Sequence, residues 1–140
     1  MLALDPWLSP FKDALRSRYS KAQDWIKTLK ETEGGLDQFS RGYEKFGFQV
    51  QANGDIVYRE WAPNALRAYL VGDFNGWNRD SHQMHKGEFG VFELTLPAVD
   101  GQPAIPHDSK VKVSFVVPND HARQERIPAW ITRVTQELAV

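Results

Sequence analysis

Phe46-Gly47-Phe48-Gln49-Val50 and Ile56-Val57-Tyr58-Arg59-Glu60-Trp61, joined through Gln51-Ala52-Asn53-Gly54-Asp55, decide the fold class. Both flanks are rich in β-branched and aromatic residues. Asn-Gly between them tolerates the positive φ of a type I′ turn, so the stretch predicts an antiparallel hairpin. Further β-rich runs follow at residues 67–72, 90–96, 111–117 and 124–127, with a last short one near 133–136. Gly, Pro and Asn clusters separate them and no helical pattern intervenes, which predicts an antiparallel β-sandwich of immunoglobulin-like type. Residues 109–115 alternate as a half-exposed strand should, and residues 97–106 read as a loop.

Upstream of the hairpin the periodicity changes. Ser9 fits an N-cap and Pro10 the first helical position, where its missing N–H is no loss. Apolar residues then recur at Phe11, Leu15, Tyr19, Ala22, Trp25, Ile26 and Leu29, the stripe of an amphipathic helix. Gly34-Gly35 ends it, and Leu36-Asp37-Gln38-Phe39 adds one more turn before Gly42. The expected fold is mainly β, a sandwich preceded by an amphipathic N-terminal α-helix.

The chain has 140 residues, 17 Lys and Arg against 18 Asp and Glu, and a formal charge of −1. No window concentrates the basic residues that a phosphate backbone or an anionic membrane requires, so neither nucleic acid nor membrane is an expected partner. The start has no basic n-region and too short an apolar run for a signal peptide, and nothing approaches a transmembrane stretch of about 18 apolar residues. With zero cysteines, a cytoplasmic location is expected, without disulfides or thiolate metal sites.

Aromatic residues in polar surroundings are the notable feature. Gly72-Asp73-Phe74-Asn75-Gly76-Trp77-Asn78 turns the chain through Asp, Asn and Gly and sets a Trp on the turn. A flat indole there suits the C–H face of a glucose ring; it equally suits a lid over the sandwich end. In Glu60-Trp61-Ala62-Pro63-Asn64 the proline ends the strand. Alternation of Ile56, Tyr58 and Glu60 against Val57, Arg59 and Trp61 leaves the buried face undecided, and burial is the ordinary fate of a strand Trp. Phe92 and Leu94 share a face and read as core, whereas Phe89 lies just outside its strand. His82 and His85 are three apart in a segment without helical pattern or a third ligand, so a surface loop is expected rather than a metal site. Gly-x-Ser-x-Gly, His-Glu-x-x-His and phosphate-loop signatures are absent, and no carboxylate pair is fixed at glycosidase spacing. No cofactor is expected.

The order of these elements is distinctive. Residues 33–43 (Glu33-Gly34-Gly35 through Gly42-Tyr43), Arg59-Glu60-Trp61-Ala62-Pro63, residues 72–78 and Pro106-His107-Asp108-Ser109-Lys110-Val111-Lys112 together closely resemble the amino-terminal part of eukaryotic glycogen or starch branching enzymes, the fungal ones most of all. The resemblance implies a helical segment (1–42), a family 48 carbohydrate-binding sandwich (43–136) and the start of a link (137–140) to a glycoside hydrolase family 13 barrel. Such a barrel needs about 200 residues or more, so it has no place within this sequence. The resemblance puts the family's catalytic carboxylates in that barrel, and no catalytic residue is assigned here.

Two binding surfaces for α-1,4-glucan, as glycogen or maltooligosaccharide, are implied. The first is a groove at Glu33, Trp61, Pro63, Phe89 and Gly90, with Phe89 standing where relatives often carry Tyr and Val91 where some carry Lys; it implies partial exposure of Trp61. The second uses Trp77, Asn75 and Lys112. The competing expectation is a docking module that covers the barrel and has no sugar affinity of its own.

Overall fold

The computed structural model describes residues 5–118 and 122–134. The chain forms two compact units, Met1–Gly42 and Tyr43–Val140.

The first unit is helical. A 3-10 turn at Pro6–Phe11 leads into helix α1, Lys12–Glu33, followed by the short α2, Leu36–Ser40. The start differs from expectation. Ser9 caps nothing; Asp5 caps the 3-10 turn by accepting from the Trp7 N–H at 3.0 Å. Pro10 sits inside that turn, and the α-helical ladder begins two residues later, at Lys12. Gly34 terminates α1 in the left-handed conformation at φ 79°, as a residue without Cβ can. No residue of α1 is buried, and Tyr19, Trp25 and Ile26 of its apolar stripe are exposed. No helix among the described residues is long and apolar enough to cross a membrane.

The second unit is a two-sheet sandwich. One sheet runs in the order β1 (Gly47–Val50), β2 (Ile56–Trp61), β5 (Val91–Leu96), β4 (His85–Lys86); the other runs β3 (Arg67–Gly72), β6 (Val111–Val116), β7 (Arg123–Arg126). Every pairing is antiparallel. Ile56, Tyr58, Phe92 and Leu96 from one sheet meet Ala68, Leu70 and Val113 from the other in a single buried cluster. A smaller cluster of Tyr69, Val71 and Val116 lies on the outer face of the second sheet.

Three expectations are corrected. Residues 81–86, read as a surface loop, hold the buried Met84 and the two-residue β4, which is too short to show a period. The strand placed at 124–127 runs instead from Arg123 to Arg126. Of the last strand, at 133–136, Arg133 and Val134 are outside any strand and 135–136 lie outside the described residues.

Alternation along β2 turns Ile56, Tyr58 and Glu60 inward. Glu60 is 4% exposed; Tyr58 Oη donates to its Oε2 at 2.7 Å and the Ala129 N–H donates to the same oxygen at 3.0 Å. Burial first, and then the Glu60 carboxylate, push the Tyr58 phenol far above its usual range. Because the folded value is raised, this contribution to stability is complete below the unfolded value of about 10 and is lost as pH rises above it. Thermal melts are expected to show stability falling by up to about 1.4 kcal/mol per pH unit above pH 10, with a shallower fall in Tyr58→Phe. Equal slopes in the two proteins would exclude Tyr58 as the source.

Candidate functional site

Pro63 lacks an N–H and the β2 strand stops at Trp61, directly opposite Val91. With Glu60 turned inward, Trp61 points out and is 60% exposed. Its indole N–H donates to the Phe89 carbonyl at 2.9 Å. Phe89 is 87% exposed and sits at φ 55°, in the left-handed region that few non-glycine residues adopt. Gly90 follows at φ 77°, is buried, and lies so close to Pro63 that a Cβ would be 2.8 Å from Pro63 Cβ and 2.9 Å from Pro63 N. The Ala62 N–H donates to Gly90 O at 3.0 Å, and the Lys86 ammonium donates to Ala65 O at 2.6 Å and Pro63 O at 3.2 Å. The result is a ledge of two aromatic rings whose backbone is tightly held. Gly90 shapes that ledge from beneath. Glu33 is the last residue of α1, in the first unit, and is exposed.

Trp77 is built differently. A 3-10 turn at Asp73–Asn75 leads through Gly76 to Trp77, both left-handed, at φ 60° and 61°. The Trp77 N–H donates to Gly72 O at 2.9 Å, and its indole N–H donates to Asp73 Oδ1 at 3.0 Å. The other Asp73 oxygen accepts the Lys110 N–H at 2.7 Å. Asn75 accepts from the Gly72 N–H at 3.0 Å, and its amide nitrogen lies 3.1–3.2 Å from Leu70 O, Asn78 O and Ser81 Oγ. That side chain braces the turn. The Lys112 ammonium stands 5.8 Å from the centre of the Trp77 ring, within cation–π range. Trp77 keeps 40% of its surface accessible.

The structure therefore brings Trp61, Pro63, Phe89 and Gly90 together, and separately Trp77 and Lys112 with Asn75 behind them. The sequence reading missed Asp73 and Lys86, which hold the two tryptophan turns in place. Asp73 stands inside the quoted motif, four residues before Trp77, whereas Lys86 acts on carbonyls more than twenty residues away and leaves no local signal. His82 lies 2.7 Å from Ser81 Oγ with its ring edge-on to Phe74, and His85 is exposed on β4. Among the described residues no three His, Cys, Asp or Glu side chains are placed to hold a metal ion.

Residues 45–131 match the family described as Carbohydrate-binding module 48 (Isoamylase N-terminal domain). The chain belongs to carbohydrate-binding module family 48. The module is 60% identical over 140 residues to a 1,4-alpha-glucan-branching enzyme of Aspergillus oryzae, covering 100% of this chain and 20% of that protein. It is 56% identical to the corresponding enzyme of Emericella nidulans, with the same coverage. It matches their N-terminal part and spans about a fifth of their length. Among solved structures, apo pullulanase from Paenibacillus barengoltzii is similar at 21% identity and a TM-score of 0.42, over 57% of this chain and 11% of that one. The matched region is a non-catalytic module.

Proposed function

We propose that the module binds α-1,4-glucan chains, as glycogen or maltooligosaccharides, within a cytoplasmic glycogen branching enzyme. In that enzyme a family 13 barrel cuts a glucan and transfers the segment to a 6-hydroxyl with retention. On this reading residues 1–42 form a helical segment, 43–136 the binding sandwich, and 137–140 the start of the link to the barrel. Trp61, Pro63 and Phe89, with Gly90 beneath, make one glucan surface. Trp77 and Lys112, with Asn75 bracing, make the other.

One observation carries the proposal. Two exposed tryptophans each have the indole N–H tied to the protein, at 2.9 and 3.0 Å, so their flat faces are oriented before a sugar arrives. Each surface alone is expected to be weak, near millimolar or about −4 kcal/mol. Glycogen presents many chain ends, and repeated weak contacts gain from effective concentration.

Affinity electrophoresis in glycogen gels tests this. Trp61→Ala and Trp77→Ala are each expected to weaken retention by roughly three- to tenfold in apparent Kd, the size of one lost aromatic platform. Unchanged mobility of both variants would refute the proposal.

A second reading is favoured by a groove elsewhere on the sandwich, lined by Phe48, Val50, Ile105, Pro106 and Ile131 among others. Val50 is 60% exposed. On this reading the apolar surface docks against the barrel. The isolated chain would then self-associate, and maltoheptaose would not disturb the association in the ultracentrifuge.

A further inference from the structure

β6 and β7 pair with Ser114 opposite Glu125, which places Lys112 and Glu125 diagonally on the outer face of the second sheet. The Lys112 ammonium lies 3.5 Å from Glu125 Oε2 on one side and 5.8 Å from the Trp77 ring on the other. Glu125 Oε1 also receives the Arg79 guanidinium at 2.5 Å, and Arg79 stands two residues beyond Trp77 in the same turn. The Glu125 side chain is only 25% exposed, so its field is less screened than that of a free surface carboxylate. Beside it, Arg123 of β7 pairs with Asp80, donates to Arg79 O at 2.8 Å, and lies over the Tyr69 ring at 4.9 Å. One carboxylate thus stands between two cations, one from the sheet and one from the tryptophan turn.

We propose that Glu125 is a positioning residue of the Trp77 surface: it holds the Lys112 ammonium beside the indole and ties the turn to β7. The proposal rests on the reading of Trp77 and Lys112 as a glucan surface. Glu125 does not itself contact sugar. It occupies one side of an ammonium that has three donors, leaving the others for glucose hydroxyls next to the stacking ring. Without the charge on Glu125, Lys112 and Arg79 have no common counter-ion. The flexible lysine then returns to solvent, and binding must bear the cost of ordering it again.

The test is a maltoheptaose titration of the full chain, read by NMR, for wild type, Trp77→Ala, Lys112→Ala, Glu125→Gln, Glu125→Asp and the Lys112→Ala/Glu125→Gln double variant. Glu125→Gln is expected to weaken binding about three- to tenfold, and to add nothing in the Lys112→Ala background, because a residue that acts through another is silent once that other is gone. In the free protein its Trp77 indole N–H resonance shifts in the same direction as in Lys112→Ala. Glu125→Asp, which keeps the charge, binds more tightly than Glu125→Gln. Wild-type affinity in Glu125→Gln, multiplying effects in the double variant, or equal weakness of the Asp and Gln variants overturns the positioning role while Trp77→Ala still loses binding. Wild-type affinity in Trp77→Ala instead overturns the glucan reading of this surface.

Discussion

Replacing Gly90 with alanine is expected to destabilise the sandwich by about 3–4 kcal/mol and to displace the Trp61 ledge. Two costs combine. At φ 77° an L-residue is held in the left-handed region, at roughly 1–2 kcal/mol. The new Cβ would also overlap Pro63 Cα and stand 2.8 Å from Pro63 Cβ, and overpacking of that kind typically costs about 1–3 kcal/mol. The neighbour is proline backbone, which cannot swing aside as a long side chain can. Relief requires the Phe89-Gly90 turn to retreat, which breaks the Ala62 N–H to Gly90 O bond and draws the Phe89 carbonyl away from the Trp61 indole. Gly101 provides the control, because it has φ 73° and a Cβ added there would meet nothing within 4 Å. Gly101→Ala should show only the conformational cost, about 1–2 kcal/mol. Urea unfolding of both variants measures the difference, and equal losses would mean that the approach to Pro63 is not felt.

Glu60→Leu is expected to cost about 3 kcal/mol, mainly because the buried Tyr58 hydroxyl loses its acceptor. Tyr58 is 0% exposed and stacks on Phe48 at 4.3 Å, so water cannot replace the carboxylate without repacking. The Ala129 N–H loses its partner as well, at the margin of the sandwich where solvent offers a substitute. Tyr58→Phe/Glu60→Leu should recover part of the loss, since exchanging both partners for apolar groups leaves no buried hydroxyl unmet. A double variant as unstable as the sum of the two single variants would refute that account. The effect should also reach the 127–131 segment, where Trp130 stacks on Phe46 at 5.7 Å and packs over Gly47.

The alternating pattern carried most of the fold. The hairpin, β3 and β6 lie where β-branched runs place them, because period-two alternation acts locally. The hairpin turn is not the expected type I′, since Gly54 takes a positive φ of 88° but Asn53 does not, and the strands close instead through Gln51 N–H to Asp55 O at 2.8 Å. β4 escaped notice because two residues hold no period, and it pairs only because β5 offers it an edge. Ser9 was a reasonable cap by type, yet Asp5 stands immediately before Pro6 and starts a 3-10 turn earlier. The candidate surfaces were legible as motifs, not as geometry. Trp77 stood out as an aromatic residue in a turn sequence, while Arg79 and Glu125, forty-six positions apart in number, meet only across the folded sheet.

By itself the sequence determined the sandwich, the helix before it and the order of motifs that resembles branching enzymes. Alternation alone leaves the buried face of β2 open and the resemblance implies a partly exposed Trp61, but only the tertiary structure supplies the physical reason. A charged Glu60 alternating with an apolar Trp61 argues locally for tryptophan inside and glutamate outside. The fold reverses this because Glu60 finds Tyr58 two residues away and Ala129 sixty-nine residues away. Those two donors satisfy the carboxylate in the interior, and the pleat then has no choice but to turn Trp61 to the surface.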